Sequence, residues 1–196
     1  MLNSNSIIGK TFWPVLGWTI TWAICSTFLN YIFGMILALL INRKGTRLKK
    51  LWRTMFVLSI AVPSFVSLLV MNAMFQENGP VNTLLKYWGI IDKSLPFFTK
   101  PIWARVSAIV INLWVGIPYT MIITTGILQN IPEELYESAK VDGANAVVTF
   151  FKITLPYMIF VTTPYLITQF VGNINNFNVL FFLTGGNPLP MTYYQA

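Results

Sequence analysis

From Phe12 to Ile41 the chain runs thirty residues without a charge. A helix rises about 1.5 Å per residue and a bilayer holds roughly 30 Å of hydrocarbon, so this run exceeds a single perpendicular crossing. It predicts a membrane helix that tilts or projects, with Trp13, Trp18 and Trp22 as interfacial anchors at its start. Composition agrees: 55% of residues are hydrophobic and only 10% charged, with a mean hydropathy of +0.63, whereas soluble domains carry about 25% charge. The chain reads as an integral membrane protein.

The charge is unevenly placed. Arg43, Lys44, Arg47, Lys49, Lys50 and Arg53 crowd one loop that holds no acidic residue. Short, purely basic loops resist translocation, so this loop is expected inside and the N-terminus outside. The +7 net charge thus reports topology rather than a nucleic-acid partner, since no basic platform interleaved with aromatics accompanies it. With no histidine, and with Cys25 alone in an apolar run, neither a metal site nor a disulfide framework nor a cofactor is expected. The N-terminus lacks the basic region and cleavage site of a secretory signal. Gly9-Lys10-Thr11 ends like a phosphate-binding loop, but Ser4 stands where its first glycine belongs and a membrane span follows.

Three further apolar stretches follow, giving expected spans at 12–41, 53–75, 102–128 and 154–183, within one domain over 1–196. The fold class is all-α, a polytopic transmembrane bundle with both ends outside. Pro63 interrupts the second span. Residues 77–100 form an outer loop whose Leu84, Leu85, Trp88, Ile90 and Ile91 suit a partly structured cover. Thr184-Gly185-Gly186-Asn187-Pro188 is an exit turn.

Between the third and fourth spans, residues 130–153 form a polar interruption that carries four of the six acidic residues. Pro132 suits the first turn of a helix, and Glu133 and Glu134 suit its positive end. Leu135, Ala139 and Asp142 recur at helical spacing. Ser138 and Ala139 keep the helix thin, and Gly143 permits a left-handed turn. A second short helix, about 144–153, leads through Leu155-Pro156 into the next span. The product is a helix, a turn and a helix at a membrane surface.

The spacing Glu137-Ser138-Ala139, three residues, Gly143, nine residues, Ile153-Thr154-Leu155-Pro156 resembles the EAA loop of ABC importer permeases, with Ser138 in place of an alanine. The resemblance implies a type I importer permease fold and a coupling helix that docks on cytoplasmic ATPase subunits through Glu137, Ser138, Ala139, Asp142 and Gly143.

A solute path is sought among intramembrane polar groups. Gln169, Asn173 and Asn176 fall at i, i+4 and i+7, so a continuous helix would align the three amides on one face. Gly116, Pro118 and Tyr119 offer an opening, a kink and an aromatic hydroxyl in the third span. No Asp, Glu, Lys or Arg lies well inside a span, which disfavours a charged solute or proton relay. Amides with aromatic faces suit a neutral, hydroxyl-rich ligand such as a carbohydrate. Locking of the bundle by interhelical amides is the competing reading.

Val62-Pro63-Ser64-Phe65, Asn112 through Tyr119, Asn173-Ile174-Asn175-Asn176-Phe177 and Leu183 through Pro188 are similar, in order and spacing, to MalF-type permeases of maltose/maltodextrin importers, over about residues 12–196. That resemblance implies that Ser64, Gly116, Tyr119, Asn173 and Asn176 lie near a transmembrane sugar site. Gly172 departs from the bulky aromatic of the maltose pattern. It further implies a bacterial cytoplasmic membrane protein with cytoplasmic ATPase subunits, a second permease in a heterodimer, an external or periplasmic sugar-binding protein and the lipid bilayer as partners. Such permeases continue past the Gly-Gly turn, so a C-terminal helix is expected to be missing. The alternatives are a permease for another neutral or phosphorylated solute and a non-transporting structural subunit. An enzyme is disfavoured by the lack of histidine, intramembrane carboxylate and nucleophile motif.

Overall fold

The computed structural model describes residues 7–43 and 45–185, with side chains from Thr11 onward. Ser4 to Ser6, Lys44 and the Gly186–Pro188 part of the exit turn lie outside the described residues. Those described form helices and turns without a strand. They are α1 (Ile7–Asn42), α2 (Lys49–Ala61), α3 (Ser64–Met74), α4 (Pro80–Tyr87), α5 (Pro101–Gln129), α6 (Glu133–Val141), α7 (Ala146–Thr149), a π-helical turn (Phe150–Thr154), α8 (Leu155–Ile174) and α9 (Phe177–Thr184). Thr11–Asn42, Pro101–Gln129 and Ala146–Ile174 are each long and apolar enough to cross a membrane.

The stretch expected as one span over 53–75 is instead α2 and α3, meeting at 89°. Proline has no N–H to continue a helix, and its ring drives the preceding residue out of helical geometry. Pro63 accordingly leaves the helix at φ −55°, ψ 130° and serves as the N-cap of α3. The pair makes a fourth crossing only if both helices act as one span. The expected span 154–183 is divided too: α8 stops at Ile174 and α9 starts at Phe177.

The chain forms two compact units. The first comprises the start of the chain to Ser26, Val62–Val115 and the residues from Val171. Its core gathers Trp22, Leu68, Phe98, Ala108, Ile111, Val179 and Leu183. Here α3 lies along α9, and Asn72 Nδ2 donates to Leu183 O at 2.5 Å. The loop after α3 is a built structure rather than a linker. Asn82, fully buried, donates to Gln76 O and Leu95 O and accepts from Leu95 N at 2.8 Å.

The second unit comprises Thr27–Ala61 and Gly116–Phe170. Tyr31, Met35, Ile131 and Met158 form one cluster, and Ala38, Ile41 and Met121 another. In this unit α1 and α5 approach closely. A Cβ on Gly34 would stand 2.7 Å from Thr120 Cβ, and one on Gly116 would stand 2.7 Å from Asn30 Oδ1. Small residues at such crossings let backbones approach, which is how membrane helices pack where burial of apolar surface gives no advantage over lipid.

Candidate functional site

The segment 132–145 follows from local chemistry. Pro132 is the N-cap of α6 and Glu133 and Glu134 occupy its first turn. At its end Gly143 takes φ +74°. Gly143 N donates to Lys140 O at 3.0 Å and Ala144 N to Ala139 O at 2.8 Å. These two bonds make a complete Schellman turn, closing carbonyls that the helix end would leave open. Asn145 then caps α7 by accepting from Val148 N at 2.9 Å, and the π turn joins α7 to α8. The first helix and its turn stand where the sequence places them, whereas the second, expected over about 144–153 as a separate surface helix, is a four-residue α7 that runs through the π turn into α8 as one apolar stretch, Ala146–Ile174.

One face of α6 is tied to its own unit. Tyr136 packs beside the Tyr31–Met158 cluster and its hydroxyl meets Thr154 Oγ1 at 3.1 Å. Ala139 is buried, at 8% exposure. Glu137, Ser138, Asp142 and Gly143 are exposed, and Val141 is 88% exposed. So the thinness at Ala139 serves the chain's own packing, and Ala139 does not share the outward face with the other four. Val141 is the outward apolar residue that sequence reasoning passed over. Its signal was present, since it lies out of phase with Leu135 and Ala139 and next to Asp142.

The solute candidates divide between the units. In the second, Tyr119 is half exposed and its ring centroid lies 6.4 Å from that of Tyr165. Tyr165 Oη meets Thr120 Oγ1 at 3.0 Å. Gln169 is half-buried on α8. The opening expected over Gly116 is taken by the Asn30 amide, whose buried Oδ1 has no conventional hydrogen-bond partner. Pro118 does not break α5, which continues through it to Gln129. Asn30, Thr120 and Tyr165 were missed in the sequence. Asn30 is the lone amide of the uncharged run.

In the first unit, Ser64 is exposed in the opening turn of α3. Asn173 is buried near the end of α8. Asn176 does not continue the face of Gln169 and Asn173, because the helix has ended. It takes φ −85°, ψ 75° and caps α9, accepting from Val179 N at 3.2 Å. Its amide still reaches Asn173, Nδ2 lying 3.4 Å from Oδ1. Asparagine's preference for caps has outweighed the helical period. Among the described residues no cluster of His, Cys, Asp and Glu is fit to hold a metal.

The model of the binding-protein-dependent transport system inner membrane component family matches residues 30–196. The chain belongs to that family. Its similarity to curated members is substantial. It is 39% identical over 181 residues to the galactooligosaccharides transport system permease protein GanP of Bacillus subtilis, covering 91% of this chain and 43% of that protein. It is 38% identical over 182 residues to the maltose/maltodextrin transport system permease protein MalF of Escherichia coli K12, covering 92% and 35%. The chain thus spans less than half the length of these relatives. A solved chain described as a bacterial ABC transporter involved in the import of the acidic polysaccharide alginate shares the fold, with a TM-score of 0.74 at 24% identity, over 86% of this chain and 59% of that one. The chain is an all-helical member, over the described residues, of the binding-protein-dependent transport system inner membrane component family.

Proposed function

We propose that this chain forms the translocation path of an ATP-driven importer of neutral oligosaccharides of the maltodextrin kind. It does no covalent chemistry. Cytoplasmic ATPase subunits hydrolyse ATP and drive it through α6, a second permease completes the path, and an external binding protein delivers the sugar.

The observation that carries this reading is the outward face of α6. Val141, 88% exposed between exposed Glu137 and Asp142, gives that face one apolar contact flanked by two carboxylates, a pattern that suits a partner's cleft. The Schellman turn at Gly143 and the Tyr136–Thr154 bond hold that face rigidly at the base of α8, so a push on α6 is passed to a membrane helix rather than lost in a loop. The neutral amides Gln169, Asn173 and Asn176, with Ser64, Gly116 and Tyr119, serve the solute. Relatives named for galactooligosaccharide and for maltodextrin transport support an oligosaccharide, and Gly172 leaves more room than the maltose pattern has.

The test is ATP-dependent uptake into vesicles that hold this chain, the partner permease and the ATPase, with saturating binding protein. Labelled maltotriose should accumulate. Asn173→Leu and Tyr119→Leu should cut the rate about tenfold or more, as loss of one to two buried polar contacts implies, while leaving ATPase copurification intact. Uptake that ignores both substitutions removes the solute assignment; uptake of a phosphorylated solute in place of the oligosaccharide removes the neutral-sugar reading.

A further inference from the structure

The C-terminal end of α1 collects positive charge without an acid to meet it. Asn42 is the last residue of the helix, and its Nδ2 donates to Ala38 O at 2.7 Å and Thr125 Oγ1 at 3.2 Å. Two cations converge on this one neutral residue. Lys49 Nζ donates to Asn42 O at 3.2 Å, and Arg53 Nη2 donates to Asn42 Oδ1. Both gain from the negative end of the helix dipole. Among the described residues neither meets a carboxylate there, and the sequence from 43 to 53 contains six basic residues and no acidic one.

Arg53 has a further unmet need. Its Nε–H is buried and without a hydrogen-bond partner, although the residue as a whole is only half-buried and so not sealed in a core. A charged donor taken from water without an acceptor is expensive, and a guanidinium's fork geometry matches the paired oxygens of a phosphate.

The turn that brings these cations together is strained. Leu48 adopts φ +58°, a left-handed conformation that a branched aliphatic residue rarely takes. It is held by Thr46, whose Oγ1 donates to Leu40 O at 2.6 Å and whose N donates to Arg43 O at 3.1 Å. Strain of this kind persists where surrounding contacts over-determine it. Beside the cations, Leu48 is 69% exposed, Leu51 52% and Trp52 48%. A soluble anion has no use for that apolar surface, whereas acyl chains and the glycerol region of a lipid do.

We propose that Arg53, supported by Lys49, holds the headgroup phosphate of an anionic phospholipid at the C-terminal end of α1, with Leu48, Leu51 and Trp52 against its chains. The lipid's single phosphate charge offsets one of the two positive charges and so fixes the α1–α2 turn.

The test is native mass spectrometry of the purified full chain in detergent, with phosphatidylglycerol or phosphatidylcholine of identical acyl chains. Thermal unfolding is measured in parallel with each lipid and with inorganic phosphate. Wild type should retain phosphatidylglycerol about fivefold better than phosphatidylcholine, the advantage that one cation near an anionic surface confers. Arg53→Gln keeps an amide donor for Asn42 Oδ1 while removing the charge, and it should lose that preference. Lys49→Gln should lose part of it, and Lys86→Gln, in the other unit, none. Equal retention of the two lipids, or unchanged preference in both Arg53→Gln and Lys49→Gln, overturns the proposal. Stabilisation by inorganic phosphate equal to that by the lipid overturns it in favour of a soluble oxyanion. Loss of ATPase binding in Arg53→Gln with lipid preference intact overturns it in favour of a protein carboxylate.

Discussion

Adding one methyl group to Gly34 and one to Gly116 strains the same crossing of α1 on α5, yet the surroundings separate the two outcomes. At Gly34 the new Cβ would lie 2.7 Å from Thr120 Cβ and Cγ2 and 3.1 Å from the backbone nitrogen of Met121. Thr120 cannot rotate away freely, because its Oγ1 is 3.2 Å from Gly116 O and 3.0 Å from Tyr165 Oη. At Gly116 the atoms nearest the methyl are those of the Asn30 amide, at 2.7 to 2.9 Å, and the buried Oδ1 of that amide has no conventional bond to lose. Overpacking costs about 1–3 kcal/mol, so Gly34→Ala belongs near the top of that range and Gly116→Ala near the bottom. Both gain up to about 1 kcal/mol from the better helix propensity of alanine. The net expectation is about 2 kcal/mol lost at Gly34 and little at Gly116, roughly a thirtyfold difference in the folded ratio. Unfolding of the purified chain in mixed micelles by increasing sodium dodecyl sulfate measures it. Thr120→Ser removes the clashing Cγ2 but keeps the hydroxyl, so Gly34→Ala with Thr120→Ser should recover about 1 kcal/mol, within the range of coupling expected for touching residues. Equal losses at the two glycines, or no recovery in the double variant, would refute this description of the crossing.

Other perturbations have equally specific outcomes. At Gly143 an added Cβ meets nothing within 4 Å, so the cost of substitution is conformational alone. Binding of the ATPase should then fall in the order Gly, Asn, Ala, Val, with Ala weaker by about 1–2 kcal/mol, and titration of labelled ATPase reads this out. Asn82→Ala strips three hydrogen bonds from the loop between Gln76 and Leu95, and should speed its proteolysis and amide exchange by an amount corresponding to about 2–3 kcal/mol while leaving α5 protected. Tyr136→Phe loses the bond to Thr154 and should cost about 1 kcal/mol of stability in the same micelle titration.

What could be read in the sequence was what the backbone itself dictates. Pro132 admits few conformations and Gly143 admits the left-handed one that other residues avoid, so the α6 segment and its turn were legible before any tertiary contact was known. Pro63 fixed where the second apolar stretch breaks but not by how much. A missing N–H locates a break, and the 89° angle accompanies packing of α3 along α9 and the bond from Asn72 to Leu183 O. The amide face was misread beyond Asn173 because a period of 3.6 was extended past Ile174, where Asn176 finds a better use as a cap. Asn30 went unremarked for a different reason. A single amide in a long apolar run acquires meaning only when Gly116, eighty-six positions later, is seen to make room for it. The inward turn of Ala139 accompanies the meeting of Tyr136 with Thr154, a contact no local pattern encodes.

The most direct test of the central claim is copurification of this chain with its candidate ATPase subunits in detergent, wild type beside Glu137→Lys and Val141→Glu. Both substitutions lie on the exposed face of α6, away from the buried Ala139, and should leave the chain folded. The account predicts that wild type retains the ATPase and that each variant loses at least about tenfold, as hot-spot substitutions at a docked helix do. Undiminished retention by both variants would contradict it, because α6 would then not be the surface on which the ATPase docks.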